Sequence, residues 1–453
     1  MKIFLTFILL SLCGVFIFPE IYAALAFGLT LSIALQIFLK SNESFMFREW
    51  ALFLYASNYL LSPAITYQLN PDQVTYGMKI PSDMYFNLAF PGFLCLVLGM
   101  YSISNNLFKP NFKELNKATI LNERFLIQIT FFGILLRVFS DVLPGEIGFF
   151  IYLLAMVRFV SAFSLFGSNS KKHWWLALLV LFIELLYGFR AGMYHDAIMW
   201  VIFFSLFFVY SVKPTGRVKS LGALSLIILV LFIQAIKFAY REQIGDGGKE
   251  ANLETITAVG STKANSESLI GKDNLLSTLN RGNQAWIFAS TVNRMDRFKD
   301  FQGLTNVYKY AEAAVLPRFL SPNKLKSGDK EIFNQFAGHS INETTSMGLG
   351  VFADGYIAYG TWGVYGFGYV LGLIFSLTFK LVERWTKISP FYVLLILPML
   401  NYAVRPDCEL QTIINHLSKS IVVYGALVYF TKNRFTLDST RNQRKLLHLN
   451  LMK

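Results

Sequence analysis

The residues best suited to chemistry in this chain gather in four short groups. One is Gly188-Phe189-Arg190-Ala191-Gly192, followed by His195 and Asp196. Glycines on both sides of Arg190 would let the backbone turn sharply and a ligand come close, and a guanidinium there would grip a phosphate bidentately. The same residue would equally serve as an arginine snorkelling to lipid headgroups. A second group is Lys237, Arg241 and Glu242, where positive charge is held either by nearby acids or by an anionic ligand. The third is Leu316-Pro317-Arg318-Phe319-Leu320-Ser321-Pro322. Its two prolines fix an extended or turning backbone, which reads as a rigid mount for a binding arginine or as ordinary loop punctuation. The fourth runs from Gly338 and His339 through Glu343 to Thr345 and on to Asp354, Tyr356 and Tyr359. His339 and Glu343 are four apart and would share a helix face, which suits an acid/base dyad. The stretch also reads as a helix start capped by Ser340, with Glu343 at the third helical position. Arg405 and Asp407 follow a late apolar run and would complete a cationic ring.

These groups need elements to hold them, and composition says what kind. Of 453 residues, 54% are hydrophobic and 15% charged, and the mean hydropathy is +0.46. A soluble domain carries about a quarter charged residues, because its surface must be hydrated. Here the deficit recurs in blocks. A bilayer core takes about 20 apolar residues to cross, and the qualifying runs are 3–18, 21–39, 50–68, 88–107, 125–143, 147–167, 174–188, 197–212, 221–239, 363–382, 389–404 and 413–430. The fold class is therefore an all-α polytopic membrane protein with about 12 transmembrane helices and one large periplasmic loop.

Lysine and arginine fall in alternate connectors. Lys40, Arg48, Lys109, Lys113, Lys117, Arg124, Lys171, Lys172, Lys213, Arg217, Lys219, Arg384 and Lys387 follow even-numbered runs. Short connectors after odd-numbered runs hold only Lys79, Arg190 and Arg405. The positive-inside rule then puts both termini in the cytoplasm and residues 240–348 outside. The chain divides into a bundle of nine spans (1–239), the large periplasmic loop with amphipathic helices (240–348), a periplasmic return with the last three spans (349–430) and a basic cytoplasmic tail (431–453). In the loop, Trp286, Ile287, Val292, Met295 and Phe298 recur at helical spacing and predict a helix lying on the bundle. Arg137, Asp141 and Arg158 fall inside spans, where charge is costly unless it faces the bundle or a wet cavity. Arg137 and Asp141, four apart, are suited to neutralise each other.

Several classes are excluded. The net charge of +13 is spent in connectors and the tail, so it reports orientation in a bilayer and no nucleic-acid partner. Cys13, Cys95 and Cys408 have no metal-ligand spacing and form no disulfide framework. No Walker loop, dinucleotide fingerprint, zinc motif or Gly-x-Ser-x-Gly elbow is present, so no cofactor or metal is expected. The apolar start resembles a signal peptide, but apolar sequence resumes at once after Ala26, which predicts an uncleaved first helix.

Residues 315–374 resemble the bacterial Wzy-type polymerases, the O-antigen or oligosaccharide repeat-unit polymerases. The motifs that carry the likeness are Leu316-Pro317-Arg318-Phe319-Leu320-Ser321-Pro322, then Thr344-Thr345-Ser346, Phe352-Ala353-Asp354-Gly355-Tyr356 and Tyr359-Gly360-Thr361-Trp362-Gly363-Val364. Gly188-Phe189-Arg190 is similar to a Gly-Ser/Thr-Arg element of those proteins, with Phe189 replacing the small residue. The resemblance implies a GT-C-like bundle in the bacterial inner membrane. Its activity would be a glycosyltransferase passing a glycan from one undecaprenyl diphosphate carrier to another lipid-linked repeat. In that scheme Arg190, Arg241, Arg318 and Arg405 bind diphosphate, and His339 or Glu343 is the base with Asp354 in reserve. The implied partners are the lipid-linked oligosaccharide and the bilayer, with a chain-length regulator as an optional addition. An O-antigen ligase-like transferase and a flippase of lipid-linked sugars are the alternatives.

Overall fold

The computed structural model describes residues 2–69, 76–143, 145–168, 171–191, 195–244, 283–315, 321, 330–339 and 347–436, and among these every regular element is helical. The chain begins with α1 (Lys2–Ile17), α2 (Ile21–Lys40), α3 (Phe47–Ala56), α4 (Ser62–Leu69) and α5 (Ser82–Tyr101). It continues through α6 (Phe112–Leu121), α7 (Glu123–Val142), α8 (Gly145–Ala155), α9 (Val157–Gly167), α10 (Trp174–Ala191), α11 (His195–Val212) and α12 (Gly216–Ile244). After residues 245–282 come α13 (Ala285–Phe298), α14 (Thr305–Val315), α15 (Lys330–Ala337), α16 (Val351–Thr386), α17 (Ile396–Met399) and α18 (Leu410–Phe435). Among the described residues seven helices are long and apolar enough to cross a bilayer. The number is eight if α6 and residues 123–140 of α7, bent by 81°, form one span; shorter apolar helices occupy 5–17, 174–188 and 390–399. Large apolar side chains stand exposed on these helices, such as Leu98 (64%), Val422 (66%) and Phe430 (79%), which water would not tolerate in such numbers and lipid does. The architecture is that of a multi-pass membrane protein.

Hydrogen bonds between connectors sort the helix ends into two faces. On one, Phe45 N and Ser44 Oγ donate to Phe108 O, Asn42 to Pro214 O, Tyr210 to Pro110 O, Lys380 to Ser104 O and Asn122 to Arg434 O. His173 meets Glu123 at 2.6 Å on the same face. These are the lysine- and arginine-rich connectors of the alternation. On the opposite face, Gln68 donates to Ile17 O, Tyr67 to Ile80 O, Asn283 to Thr66, and Tyr59 to Pro406 O. The basic connectors are therefore neighbours in space as well as periodic in sequence.

Glycine holds the tightest helix pair. A Cβ on Gly99 would meet Tyr369 O, one on Gly372 would meet Leu96 O, and one on Gly368 would meet Gly92 O. Between apolar helices in lipid, such close backbone approach supplies the attraction that the hydrophobic effect does not. It fixes α5 against α16, with Gly368 and Gly372 spaced as a Gly-x-x-x-Gly pair.

One expected span is extended and two expectations need correction. The run 363–382 belongs to a longer helix that breaks in its first third: Tyr359 (φ −144°, ψ 25°) and Gly360 (φ 59°, ψ −138°) leave helical geometry. The chain folds back there, so that a Cβ on Gly363 would strike the Gly355 carbonyl oxygen. Carbonyls freed by the break accept from elsewhere, Ile357 O from Gln302 N (2.9 Å) and Ala358 O from Gly303 N (3.1 Å). The run 389–404 is no regular span but a 3-10 segment (Pro390–Leu395), α17 and turns, buried nearly throughout. Non-helical backbone at that depth is tolerated because protein surrounds it; Tyr55 donates to Ala403 O and Tyr59 to Pro406 O. Finally, α13 does not lie on the bundle but sinks into it. Trp286, Ile287, Phe288, Ala289, Ser290 and Thr291 are all buried, with Phe288 packed edge-on to Tyr59 and Tyr85.

Within the spans, Arg158 is fully buried and its guanidinium is bound by the Glu184 carboxylate. Arg137 also approaches Glu184, at 3.9 Å, and lies over the Tyr187 ring. The intramembrane arginines thus share an acid from α10 that their own helices do not supply, while the Asp141 side chain falls outside the described residues.

Candidate functional site

On the face opposite the basic connectors, α13 presents a polar stripe. Trp286, Ser290 and Arg294 follow each other at four-residue spacing and so share one side of the helix. Gly338 ends α15 with φ +71°, a left-handed turn natural to glycine, and its N–H donates back to Asn334 O. That turn lays Gly338 against the Arg294 side chain and His339 against the rest of the stripe. His339 Nε2 is 3.1 Å from Ser290 Oγ, and its ring packs edge-on to Trp286 with centroids 5.1 Å apart. Tyr76 abuts the other side of Trp286 at 5.3 Å. The described hydrogen-bond partner of His339 is therefore Ser290; Glu343, the partner expected for it, lies outside the described residues.

Positive charge gathers at this site. Burial, and secondly the Lys79 ammonium nearby, lower the His339 pKa below its ordinary value. The imidazole is therefore neutral at pH 7. Arg294 has its guanidinium over the Phe298 ring at 5.2 Å, and among the described residues no carboxylate pairs with it. A neutral histidine, a hydroxyl and two cationic side chains at the end of a membrane bundle can hold an anion and accept a proton beside it.

Asp354 does something else. It is 3% exposed, and both carboxylate oxygens are occupied, Oδ1 by Tyr310 O–H (3.1 Å) and Oδ2 by Leu410 N–H (2.8 Å). Leu410 opens α18, so the carboxylate caps that helix and ties it to α14 and to the broken start of α16. Asp354, expected as a reserve base, is in this structure a tie between elements. Its neighbour Tyr356 reaches the stripe helix, donating to Asp296 at 2.5 Å.

Arg405 is likewise not an open cation. It donates from Nη1 to Asp196 (2.9 Å) and from Nη2 to Asp407 (3.2 Å). Burial pushes the Asp407 carboxyl up, but Arg405 and His195 outweigh that and hold it below the usual carboxylate range. With two acids on one guanidinium, the charge of Arg405 is balanced among the described residues. The pairing instead fastens the start of α11 to the turn before α18.

The remaining arginines are placed by backbone alone. Arg190 lies in the last turn of α10, which is helical from Gly188 to Ala191, while Gly192, the glycine on its other side, lies outside the described residues. Arg241 lies in the last turn of α12. Both helix ends belong to the same face as His339, and neither side chain is among those described. Arg318 lies outside the described residues. Sequence reasoning missed Ser290 and Arg294. The four-residue register Trp286-Ser290-Arg294 was the available signal, obscured because the apolar residues interleaved with it satisfy a helix on their own.

No curated protein and no solved structure matches the chain. Residues 55–405, well over half of the 453, match the model of a family described as a domain of unknown function, DUF8712, and the chain belongs to that family.

Proposed function

We propose that this protein is a membrane glycosyltransferase that joins lipid-diphosphate-linked oligosaccharide repeat units, a polymerase of the Wzy-like kind. The observation that carries the reading is Arg294, with which no described carboxylate pairs, beside a neutral, Ser290-anchored His339 at the mouth of a helical bundle. Transfer needs a group to take the acceptor hydroxyl proton and charge to stabilise the departing diphosphate. With Nε2–H donating to Ser290 Oγ, His339 Nδ1 carries the lone pair that receives the proton. As the hydroxyl oxygen bonds to the anomeric carbon, the bond from that carbon to the lipid diphosphate breaks, and the diphosphate leaves with the electron pair. Arg294 and Lys79 are the described side chains that would hold it, and Arg190, Arg241 and Arg318, whose side chains lie outside those described, are the further candidates.

The topology in this reading has twelve crossings, the broken 390–404 segment and the short α1 and α10 among them. The basic face is cytoplasmic and carries both termini, and the His339 face is periplasmic, in a bacterial inner membrane. The two-faced sorting of connectors supports that assignment. The test is purified protein in proteoliposomes with a polyprenyl-diphosphate-linked oligosaccharide. A ladder of lengthened products is expected, and the absence of transfer to any lipid-linked acceptor overturns the proposal. A flippase is the second reading, favoured by the buried Arg158–Glu184 pair and the broken α16, since transporters use intramembrane charge and discontinuous helices. Translocation of the lipid-linked sugar without lengthening would select it.

A further inference from the structure

On the basic face, far from His339, a groove opens sideways between α2, α3, α11 and α12. Its volume is about 600 Å³, and its walls are apolar, with Leu35, Phe53, Leu206 and Leu226 on the four helices. A water-sized group takes about 30 Å³ of liquid, so the groove holds roughly twenty methylenes, one acyl chain. Three of its walls are helices able to span a bilayer, and α12 is barely packed: almost none of residues 216–233 is buried. The described residues do not fill this space.

One end of the groove is polar and cationic. Lys219 lines it, and its ammonium donates to Phe38 O (2.6 Å) and Ser41 Oγ (3.3 Å). An ammonium has three donors, so one remains, and among the described residues no carboxylate pairs with Lys219. Lys40, Lys213 and Arg217 stand exposed around the same two connectors, which Asn42 binds together through Pro214 O. Glu43 is the single acid in those connectors, residues 41–46 and 213–215.

We infer that this groove is a binding site for one anionic glycerophospholipid, its acyl chain along α12 and its phosphate on Lys219. Charge complementarity selects the headgroup, and the apolar length selects the chain. The site is independent of the transferase chemistry, whose residues lie on the opposite face.

Native mass spectrometry of the full chain, released from nanodiscs of equal phosphatidylglycerol and phosphatidylcholine, tests it. One retained phosphatidylglycerol per chain is expected, at about fivefold preference over phosphatidylcholine. Lys219→Ala should bring that preference to about one, and Lys219→Arg should keep it. Gly222 lines the groove with nothing within 4 Å of an added Cβ, so Gly222→Trp should evict both lipids. Ser205→Phe, on the α11 wall, is the independent block should the tryptophan variant not fold. Equal retention of the two lipids by the unaltered chain overturns the inference, as does an undiminished preference in Lys219→Ala or full occupancy in the blocked variants.

Discussion

At the scale of single residues, the site separates side chains that are free to meet a ligand from side chains already committed to the fold. Among the described residues, Arg294 and the His339 ring nitrogen that does not meet Ser290 belong to the first kind. Because the His339 pKa is lowered, its base form persists below the ordinary histidine value of about 6.5. The acidic limb of the proposed transfer should therefore fall at a pH lower than that, read from a pH profile of product formation. The linkage has the matching sign. Between the two pKa values the unfolded chain binds the proton and the folded chain does not, so stability contributed here is present above about pH 6.5 and lost as pH falls below it. In the proposed transfer, Arg294→Ala should cost roughly a hundredfold in rate with insertion unchanged, since it removes a charge assigned there to the leaving group. Asp354 and Arg405 belong to the second kind. Asp354→Asn turns one acceptor into a donor facing a donor, and should lower stability by about 1–3 kcal/mol in a thermal melt. If Asp354→Asn instead melted like the unaltered protein and lost all activity, a direct chemical role would replace the tie.

At the scale of elements, glycine decides where helices break and how closely they pack. Gly360 has φ +59°, a conformation that L side chains rarely adopt, and it sits where α16 folds back on itself. Gly360→Ala should cost about 1–3 kcal/mol and loosen the pairing of Ile357 O and Ala358 O with Gln302 and Gly303. Faster hydrogen exchange at those two amides is the readout. Gly372→Leu would drive a side chain into the backbone of α5 at Leu96 and Met100. Overpacking of that kind costs about 1–3 kcal/mol or more, and here there is no flexible neighbour to give way. The expected result is poor membrane accumulation, whereas Gly366→Ala, with nothing within 4 Å of an added Cβ, should accumulate normally.

At the scale of the whole molecule, two faces are built from different chemistry. One collects lysines and arginines from connectors far apart in sequence, and the other collects α13, α14, α15 and the start of α16 around His339. In a cysteine-free background, cysteines placed at Ser44 and at Gln302 should be modified from opposite sides of the membrane by an impermeant reagent. Labelling of both from one side would dismantle the proposed topology and the proposed periplasmic site with it. The exposed stripes of Leu, Phe and Val on α5 and α18 meet lipid in this arrangement and need no partner.

Much of the architecture was legible in the chain itself. Blocks of apolar residues long enough for a bilayer, together with alternation of basic connectors, follow from hydration cost alone, and that cost acts on each segment locally. Hence an all-helical membrane bundle and its two-faced sorting were readable without coordinates. Which polar groups meet was not readable, because it depends on backbone breaks and long-range pairing. The break at Gly360 looked like a glycine-rich start to a helix, and the Ser290–His339 and Arg405–Asp196 contacts join residues 49 and 209 positions apart. Asp354 and Arg405 carry the residue types that chemistry favours, yet packing closes both into the fold. Arg294 was one arginine among many until the turn at Gly338 was laid beside it. Residue type limits what a side chain can do, and only the tertiary structure fixes whether its polar atoms are already taken.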